Sequence, residues 1–308
     1  MKVLLTGASS FSGFWFAERL SAAGAHVVAP LKGGTEAYTG VRAARVARLA
    51  KIAEIVPHCA FGGEQMLDLV RGRDFDVLCH HAARVGDYRN PDFDVNAAVA
   101  ENTLNLRNIL QLMQARGLSG MVATGSVFEQ DEGAANNPPR AFSPYGLSKG
   151  LTWQVIRYWC QILDVPLGKF VIPNPFGPLE EPRFISYLVK TWKSGQVAGV
   201  KTPRYLRDNI HVDLLARAYA GFVTSVVETK RGGRFGPSGY AETQGEFTGR
   251  VASALRPRLG LECGVELGIQ TDFSEPLIRV NTDLLDTGAY GWSETDAWDA
   301  LAAHYAEL

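Results

Sequence analysis

Short apolar runs alternate with longer amphipathic stretches through the first 172 residues of this chain. Five runs have the length and composition of buried strands, at 2–6, 26–30, 76–80, 120–124 and 167–172. Four stretches carry apolar residues at helical spacing, at 14–23, 64–71, 94–116 and 144–163. Strands that alternate with helices predict a parallel sheet covered on both faces, and such sheets bind ligands beyond the carboxyl ends of their strands.

The alternation stops after residue 172. Four prolines fall within ten residues there, and the later apolar runs are shorter and mixed. We therefore predict an α/β fold, a Rossmann doubly wound parallel sheet with a smaller mixed C-terminal substrate-binding region. The dinucleotide-binding domain is expected over 1–172 with returning segments at about 207–235, and the substrate-binding region over 173–206 and 236–308.

Composition narrows the classes of partner. The formal net charge of −1 and the absence of a Lys/Arg-rich block give no electrostatic footprint for nucleic acid. The four cysteines lie far apart without a CxxC pair, which argues against a metal site and a disulfide framework. No run reaches the roughly 18 apolar residues of a membrane span. We expect a cytoplasmic protein with no metal, nucleic-acid or membrane partner.

The segment from Thr6 to Gly13 follows the first strand and opens the first helix. Glycines at such a junction allow a tight turn and a close approach of the backbone to a diphosphate, which the helix N-terminus then binds. Ser10 stands where the dinucleotide fingerprint has its middle glycine, and its hydroxyl is a candidate phosphate contact. A strand-to-helix turn without a ligand is the alternative. The candidate cofactor contacts are Gly7, Ser9, Ser10, Phe11 and Gly13.

The end of the second strand bears on the choice of dinucleotide. An acidic residue there holds the ribose hydroxyls of NAD, whereas a basic residue accommodates the 2′-phosphate of NADP. This chain has Lys32 and no acid in the turn. Lys32 therefore favours NADP(H) over NAD(H), although a surface lysine is also common after a strand.

Tyr145 and Lys149 are four residues apart near the start of a predicted helix, which places them side by side on one face. A tyrosine is a poor acid or base near neutrality, and a neighbouring ammonium group favours its phenolate. Thr124 ends a strand at the expected ligand-binding edge, where its hydroxyl is a candidate donor to a substrate oxygen. The alternatives are an exposed helix pair and an ordinary threonine at the end of a strand.

Several motifs occur together and in order: the loop at Gly7, His80-His81-Ala82-Ala83, Tyr145-Gly146-Leu147-Ser148-Lys149, Asn174-Pro175-Phe176-Gly177-Pro178 and Arg207-Asp208-Asn209-Ile210-His211-Val212-Asp213. With these motifs the chain resembles the extended short-chain dehydrogenase/reductase family, in its NAD(P)-dependent epimerase/dehydratase branch. That branch acts largely on nucleotide-linked sugars, and the likeness spans most of the chain.

The resemblance implies roles for further residues. Thr124, Tyr145 and Lys149 correspond to the catalytic triad, Ala82 and Ala83 to residues that line the cofactor, and Pro173 to a residue near the nicotinamide. The implied substrate contacts are Ser126, Asn174, Arg207, whose guanidinium would clamp a diphosphate, and Arg279 as a second phosphate contact. Glu275 replaces the family's usual arginine before the proline. Asn96 resembles the family's helix asparagine, although 99–105 admits another alignment. We interpret His80 and His81 as packing residues.

Departures from the family narrow the reaction. Sugar 4,6-dehydratases place Asp and Glu directly after the triad threonine, and this chain has Gly125 and Ser126 there. We therefore set elimination aside and expect NADPH-dependent reduction of a nucleotide-linked keto sugar. The alternative is a nucleotide-sugar 4-epimerase with tightly bound NAD. Reduction of a non-nucleotide carbonyl and a non-catalytic dinucleotide sensor are less favoured. The resemblance also implies a homodimer through the helices at 94–116 and 144–163.

Overall fold

The computed structural model describes residues 1–87, 89–137 and 139–307. Its main sheet has seven strands in the order β10-β6-β5-β4-β1-β2-β3. The strands are β1 (Lys2–Thr6), β2 (His26–Pro30), β3 (Glu54–Val56), β4 (Val77–His80), β5 (Gly120–Ser126), β6 (Leu167–Ile172) and β10 (Gly233–Phe235). Neighbouring strands are parallel throughout. The predicted α/β class and doubly wound parallel sheet are confirmed.

Helices cover both faces of this sheet. They are α1 (Phe11–Ala22), α2 (Gly40–Leu49), α3 (Glu64–Gly72), α4 (Val95–Asn102), α5 (Leu106–Gln114), α6 (Pro144–Ile162) and α8 (Val212–Thr229). Successive side chains of a strand point to opposite faces. Val3 and Leu5 accordingly pack with α1 and α8, whereas Leu4 packs with α3, α5 and α6. This double burial explains why the strands are almost wholly apolar.

The helix expected over 94–116 is interrupted, and α4 and α5 are separate helices. Between them Asn105 adopts a left-handed conformation with φ of 52°, which asparagine tolerates better than most residues. Its Nδ2 donates to the Gly62 carbonyl at 2.7 Å, so a contact distant in sequence fixes the break. Helix α2 and strand β3 are further elements that the sequence patterns do not predict.

The C-terminal part forms two small sheets beyond the carboxyl ends of the main strands. Strand β7 (Asn174–Phe176) follows β6 almost directly and joins β9 (Leu206–His211), β11 (Tyr240–Thr243) and β13 (Ile278–Arg279). The second small sheet pairs β8 (Ala198–Val200) with β12 (Val265–Leu267). The remaining helices are α7 (Phe184–Lys193), α9 (Gln244–Leu259) and α10 (Glu294–Ala306), which share a separate apolar core. Helix α8 and strand β10 return the chain to the main sheet.

The four cysteines are buried as free thiols. Burial raises the pKa of Cys79 and Cys160 to about 12, so these thiols stay protonated near neutral pH. Within 1–87, 89–137 and 139–307, no three His, Cys, Asp or Glu side chains are grouped as a metal site would require. In the same ranges no helix has both the length and the apolar character needed to cross a bilayer.

Candidate active site

The phosphate loop joins β1 to α1 and has little room for side chains at two positions. Gly7 has φ of 75°, and a Cβ there would lie 2.8 Å from the Ala82 nitrogen. A Cβ at Gly13 would overlap the Gly7 carbonyl oxygen. Ser10 has an ordinary φ of −74° and caps α1, which explains why a glycine is not needed there. The loop therefore has the form of a dinucleotide-binding turn at a helix N-terminus.

The Ser10 hydroxyl has a different role from the expected phosphate contact. It donates to the Gly7 carbonyl at 2.8 Å and accepts from the Gly13 amide at 3.2 Å. Both bonds lie within the loop and fix its shape. The backbone N–H groups at the start of α1, which begins at Phe11, are candidate donors to a diphosphate in this turn.

An arginine that sequence analysis did not identify lies on the phosphate loop. Arg42, near the start of α2, donates from Nε and Nη2 to the Ser9 hydroxyl at 3.2 and 2.8 Å. Its guanidinium also stacks 5.1 Å above the Tyr38 ring. Lys32 instead pairs with Glu101 at 3.0 Å and is largely exposed. Arg42, and not Lys32, is thus a candidate for recognising an adenosine ribose at this loop.

A second arginine binds the backbone of the phosphate loop. Arg45 is fully buried and donates to the Ser9 carbonyl at 3.1 Å and to the Leu179 carbonyl at 2.7 Å. It also forms an ion pair with Glu181. Arg45 therefore ties the phosphate loop to the segment that follows β7.

Thr124 and Lys149 meet at the carboxyl edge of the main sheet. The Lys149 ammonium donates to the Thr124 carbonyl at 2.6 Å, and both side chains are buried. Burial lowers the pKa of Lys149, and the negative charge of Glu129 offsets part of this shift. Tyr145 lies one turn earlier on α6, where burial and the Glu129 carboxylate raise its pKa to about 12. The phenol is therefore protonated near neutrality.

Behind this pair lies a buried group of charges. Glu129 pairs with Lys169 at 2.6 Å and accepts from the Ser126 amide at 2.7 Å. The Ser126 hydroxyl accepts from the Phe128 amide at 3.2 Å. A Cβ at Gly125 would lie 2.7 Å from the Lys169 Cε and 3.0 Å from a Glu129 oxygen. A side chain at residue 125 would therefore require the Lys169 and Glu129 side chains to shift.

The residues implied to line the cofactor lie at this same edge. Ala82 lines one cavity together with Thr124 and Lys149. Ala83 follows it and is half-buried, and Pro173 is buried in the link between β6 and β7. The expected cofactor residues, except Lys32, therefore surround the carboxyl ends of β1, β4, β5 and β6.

His80 is a packing residue, as interpreted from the sequence. Its Nε2 donates to the Asn102 carbonyl at 2.9 Å, so Nδ1 is left to accept from the Thr6 hydroxyl at 3.0 Å. Burial lowers the pKa of His80 to about 4, which keeps the imidazole neutral.

The buried asparagine on α4 is Asn102, whose Nδ2 donates to Thr152 at 3.2 Å, whereas Asn96 is exposed.

The His81 ring nitrogens lie within hydrogen-bond distance of three hydroxyl groups. Its Nδ1 lies 2.9 Å from the Thr124 hydroxyl, and its Nε2 lies 3.1 Å from the hydroxyls of Ser10 and Ser12. This side chain therefore connects the phosphate loop with Thr124. The interpretation of His81 as a packing residue misses this connection, because it depends on three segments that are far apart in sequence.

On the substrate side, Arg207 is buried and already paired. Its Nη2 contacts the Glu275 carboxylate at 2.9 Å, and Nη1 donates to backbone carbonyls, including that of Pro276 at 3.0 Å. Glu275 also pairs with Arg89 at 2.9 Å. The carboxylate that replaces the family's arginine therefore lies on the guanidinium expected to clamp a diphosphate.

Two amide side chains face each other in the register of the small sheet. Asn174 on β7 is opposite Asn209 on β9. Among the described residues, the Nδ2 atoms of both side chains are buried and have no hydrogen-bond partner. A buried donor without an acceptor costs free energy, so these two groups are suited to a bound ligand that offers oxygen atoms. Asn209 was not singled out by sequence analysis.

The expectation that Arg279 contacts a phosphate needs correction. Arg279 is 1% exposed and donates to the Val127 carbonyl at 2.6 Å and to the Arg140 carbonyl at 2.9 Å. It also donates to the Glu129 carbonyl. Its guanidinium therefore holds the loop after β5 against β13, and its N–H groups are engaged by backbone oxygens.

Comparisons with known proteins agree with this architecture. A UDP-glucuronic acid 4-epimerase from Bacillus cereus has 17% identity and a TM-score of 0.74, with 100% of each chain covered. A UDP-glucose-4-epimerase from Stenotrophomonas maltophila with bound NAD has 18% identity and a TM-score of 0.75, with 100% of this chain and 98% of that chain covered. A UDP-N-acetylglucosamine 4-epimerase from Bacillus cereus has 14% identity and a TM-score of 0.71, with 100% and 99% covered.

No protein of curated function matches the sequence at a significant level. The family comparison is decisive, because the NAD dependent epimerase/dehydratase family matches residues 3–235, about three quarters of the chain. The phosphate loop, Thr124, Tyr145 and Lys149 all fall inside that match. This chain therefore belongs to the NAD dependent epimerase/dehydratase family.

Proposed function

We propose that this protein is a nicotinamide-dinucleotide-dependent 4-epimerase of a nucleotide-linked sugar. The observation that carries the proposal is the joining of Thr124 and Lys149 at the sheet edge, with Tyr145 on the same helix as Lys149. The similar structures named above are 4-epimerases of UDP-sugars, which supports this alternative over the keto-sugar reduction that the sequence first suggested.

The residues present suit proton transfer at a sugar oxygen. When bound, the nicotinamide ring supplies the acceptor and donor of hydride. Tyr145 moves the proton in both directions, because oxidation of a hydroxyl releases a proton and reduction of a carbonyl takes one up. Oxidation of the sugar needs the Tyr145 phenolate, and we propose that the Lys149 ammonium, one turn away on α6, favours its formation when the ligands are bound. Thr124 contacts the reacting oxygen through its hydroxyl.

Two groups of residues support a nucleotide-linked substrate. The unpartnered amide donors of Asn174 and Asn209 match the oxygens of a sugar or phosphate. The Arg207 guanidinium matches a diphosphate in shape and charge. We propose that an incoming diphosphate competes with the Glu275 carboxylate for this guanidinium.

Keto-sugar reduction with NADPH is the second candidate, and a different observation favours it. The Arg42 guanidinium is held on Ser9, with Lys32 nearby in sequence after β2, and an arginine at this place accommodates a 2′-phosphate. On this ground we propose that the site accepts NADP(H) in preference to NAD(H). The structure of the Stenotrophomonas relative, in contrast, contains NAD.

The two reactions are separated by measuring product and cofactor together. Cofactor-stripped protein is reloaded with NAD+ or NADPH and incubated with UDP-glucose, UDP-glucuronic acid and UDP-N-acetylglucosamine. An epimerase yields the 4-epimer without net consumption of cofactor. A reductase consumes NADPH in proportion to product when a keto sugar is supplied. Failure of both reactions with every nucleotide sugar overturns the proposed function.

We also propose a cytoplasmic homodimer. The four unpaired cysteines support the location. Helix α6 carries exposed apolar side chains along one face, namely Leu147, Leu151, Tyr158 and Ile162. A second copy of this helix would cover that stripe. Light scattering tests the dimer: we expect twice the chain mass for the native protein and the single mass for Ile162→Glu.

A further inference from the structure

A buried carboxylate lies beside the stretch of backbone that Lys149 contacts. Lys149 donates to the Thr124 carbonyl at 2.6 Å, and Glu129 accepts from the Ser126 amide at 2.7 Å. These contacts are made to neighbouring peptide groups of β5, on either side of Gly125, which has no side chain to place between them. The Glu129 carboxylate, from the turn after β5, is therefore fixed close to the Lys149 ammonium.

A second lysine keeps the Glu129 carboxylate in place. The Lys169 ammonium contacts Glu129 and Glu132 at 2.6 Å each and lies 4.9 Å above the Trp153 ring. Lys169 and Lys149 line the same small cavity, and both are buried. Two buried ammonium groups that lie close together disfavour each other's charge, so nearby negative charge is needed to keep both protonated.

The two carboxylates of this group differ in how many cations they serve. Glu132 contacts Arg234 at 2.8 Å in addition to Lys169, whereas Glu129 contacts Lys169 alone among these cations. Burial and the Lys169 charge lower the pKa of Lys149, and the Glu129 charge raises it. Glu129 is therefore the carboxylate that compensates the charge of Lys149.

The other titratable groups around Lys149 and Tyr145 carry no negative charge. His80 and His81 face Lys149 from β4, and burial lowers their pKa to about 4 and about 3, so both are neutral. Arg183, just before α7, lowers the pKa of Tyr145, whereas Glu129 raises it. Within the described part of the chain, Glu129 is thus the carboxylate that acts on both groups.

We propose that Glu129 is a positioning residue of the reaction, which acts through Lys149 by keeping its ammonium charged inside the protein. A neutral amine could not favour the phenolate that sugar oxidation requires, and burial alone favours the neutral amine. The effect on turnover rests on the proposed function. The charge of Lys149 does not, because it is present without substrate.

This charge can be measured without substrate or cofactor. In NMR spectra of protein labelled with 13C at the lysine ε-carbons, each chemical shift reports the charge of one amine, and Lys149→Met identifies the Lys149 signal by its loss. We expect a charged Lys149 in the native protein at about pH 8, and a titration midpoint about one pH unit lower in Glu129→Gln. That variant keeps an oxygen for the Ser126 amide. A neutral native Lys149 at that pH, or an unchanged midpoint in the variant, overturns the inference.

Glu132→Gln is the matched control, because it also removes a buried carboxylate partner of Lys169. Both variants should lower the midpoint of thermal unfolding, since each breaks one buried ion pair. Only Glu129→Gln should shift the titration of Lys149. Equal shifts in the two variants would reflect a general loss of negative charge and overturn the specific role of Glu129.

If Glu129→Gln alone does not fold, the double variant Glu129→Gln/Lys169→Met decides the question. It removes both members of a buried ion pair, which costs less stability than removing one. The effect of Glu129 on the pKa of Lys149 exceeds that of Lys169, so the Lys149 midpoint should still lie below the native one. A midpoint at or above the native value overturns the inference.

The pH dependence of kcat gives a second readout. Removing the Glu129 charge favours the neutral amine of Lys149 and the phenolate of Tyr145, because this charge raises the pKa of both groups. Both limbs of the profile should therefore move to lower pH in Glu129→Gln and stay in place in Glu132→Gln. A purely structural role would lower kcat at every pH without moving the limbs, and that result overturns the positioning role. If no nucleotide sugar is converted at all, the proposed function fails, and the lysine spectra still decide whether Glu129 holds the charge of Lys149.

Discussion

The two ends of the candidate site differ in how far they are preorganised. At the dinucleotide end, Gly7 and Ser10 hold the loop in shape, and Lys149 is fixed on the Thr124 carbonyl. At the substrate end, the Arg207 guanidinium is paired with a carboxylate of the same chain. Under the proposed function, the first end is already shaped for its ligand, whereas the second would exchange an internal partner of Arg207 for an external one.

This difference has an energetic consequence. A preorganised site loses little free energy to rearrangement when its ligand binds. Displacing Glu275 from Arg207 leaves a partly buried carboxylate that keeps its pair with Arg89, so the cost of the exchange is reduced. We therefore expect substitutions at the dinucleotide end to affect turnover and cofactor choice, and those at the substrate end to affect substrate affinity.

The largest expected effect is that of Tyr145→Phe. Loss of the positioned proton donor and acceptor should reduce kcat by about 100-fold or more, with cofactor affinity nearly unchanged. Tyr158→Phe, on the same helix but exposed, is the control and should leave kcat unaltered. Steady-state rates and a cofactor titration check both. Native turnover in Tyr145→Phe would show that Tyr145 does not transfer the proton. The expected difference between the two ends would then not hold.

Next is Arg42→Gln, which tests cofactor choice. Because Arg42 is held on Ser9, we expect the Kd for NADPH to rise about tenfold, in line with the loss of a charge-assisted hydrogen bond, while the Kd for NADH stays within about twofold. Arg48→Gln on the same helix is the matched control. Titrations followed by protein fluorescence measure all four constants. Equal losses for both cofactors would exclude Arg42 from 2′-phosphate recognition.

The dinucleotide end was the more predictable from sequence. Its contacts are local: the loop from Gly7 to Gly13 lies between one strand and one helix, and Tyr145 and Lys149 are one helical turn apart. Hydrophobic periodicity and glycine spacing describe such relations directly. The parallel sheet follows from the same periodicity, because each strand is buried on both faces.

The substrate end depends on contacts between distant segments. Glu275 reaches Arg207 across 68 residues, and at the dinucleotide end the contact that sequence analysis missed, from Arg42 to Ser9, also spans 33. No periodic pattern encodes such pairs. Arg279 shows the same limit, because an arginine buried by backbone carbonyls cannot be distinguished in sequence from one open to a phosphate. The break at Asn105 likewise depends on a tertiary bond to Gly62.

The variant Glu275→Gln tests whether the internal partner of Arg207 limits substrate binding at the substrate end. Neutralising this carboxylate frees Arg207, so the KM for the nucleotide sugar should fall several-fold while kcat stays near native. Glu54→Gln removes an arginine-paired carboxylate elsewhere, on β3 at the edge of the main sheet, and should leave KM unchanged. Initial rates over a range of substrate concentrations check both. A raised KM would mean that Glu275 holds Arg207 in place for the substrate.

The smallest expected effects are those of Asn209→Ala, which should weaken substrate binding without lowering the stability of the fold. The buried Nδ2 of Asn209 has no partner among the described residues, so its removal should leave the free energy of unfolding unchanged or slightly increased. Loss of one hydrogen bond to substrate should raise KM about fivefold. In contrast, Asn281 donates to the Val171 and Pro237 carbonyls, and Asn281→Ala should cost about 1–3 kcal/mol of stability. Denaturant unfolding together with substrate kinetics separates the two asparagines. A stability loss in Asn209→Ala equal to that in Asn281→Ala would show that this amide supports the fold, and the substrate end would then be as preorganised as the dinucleotide end.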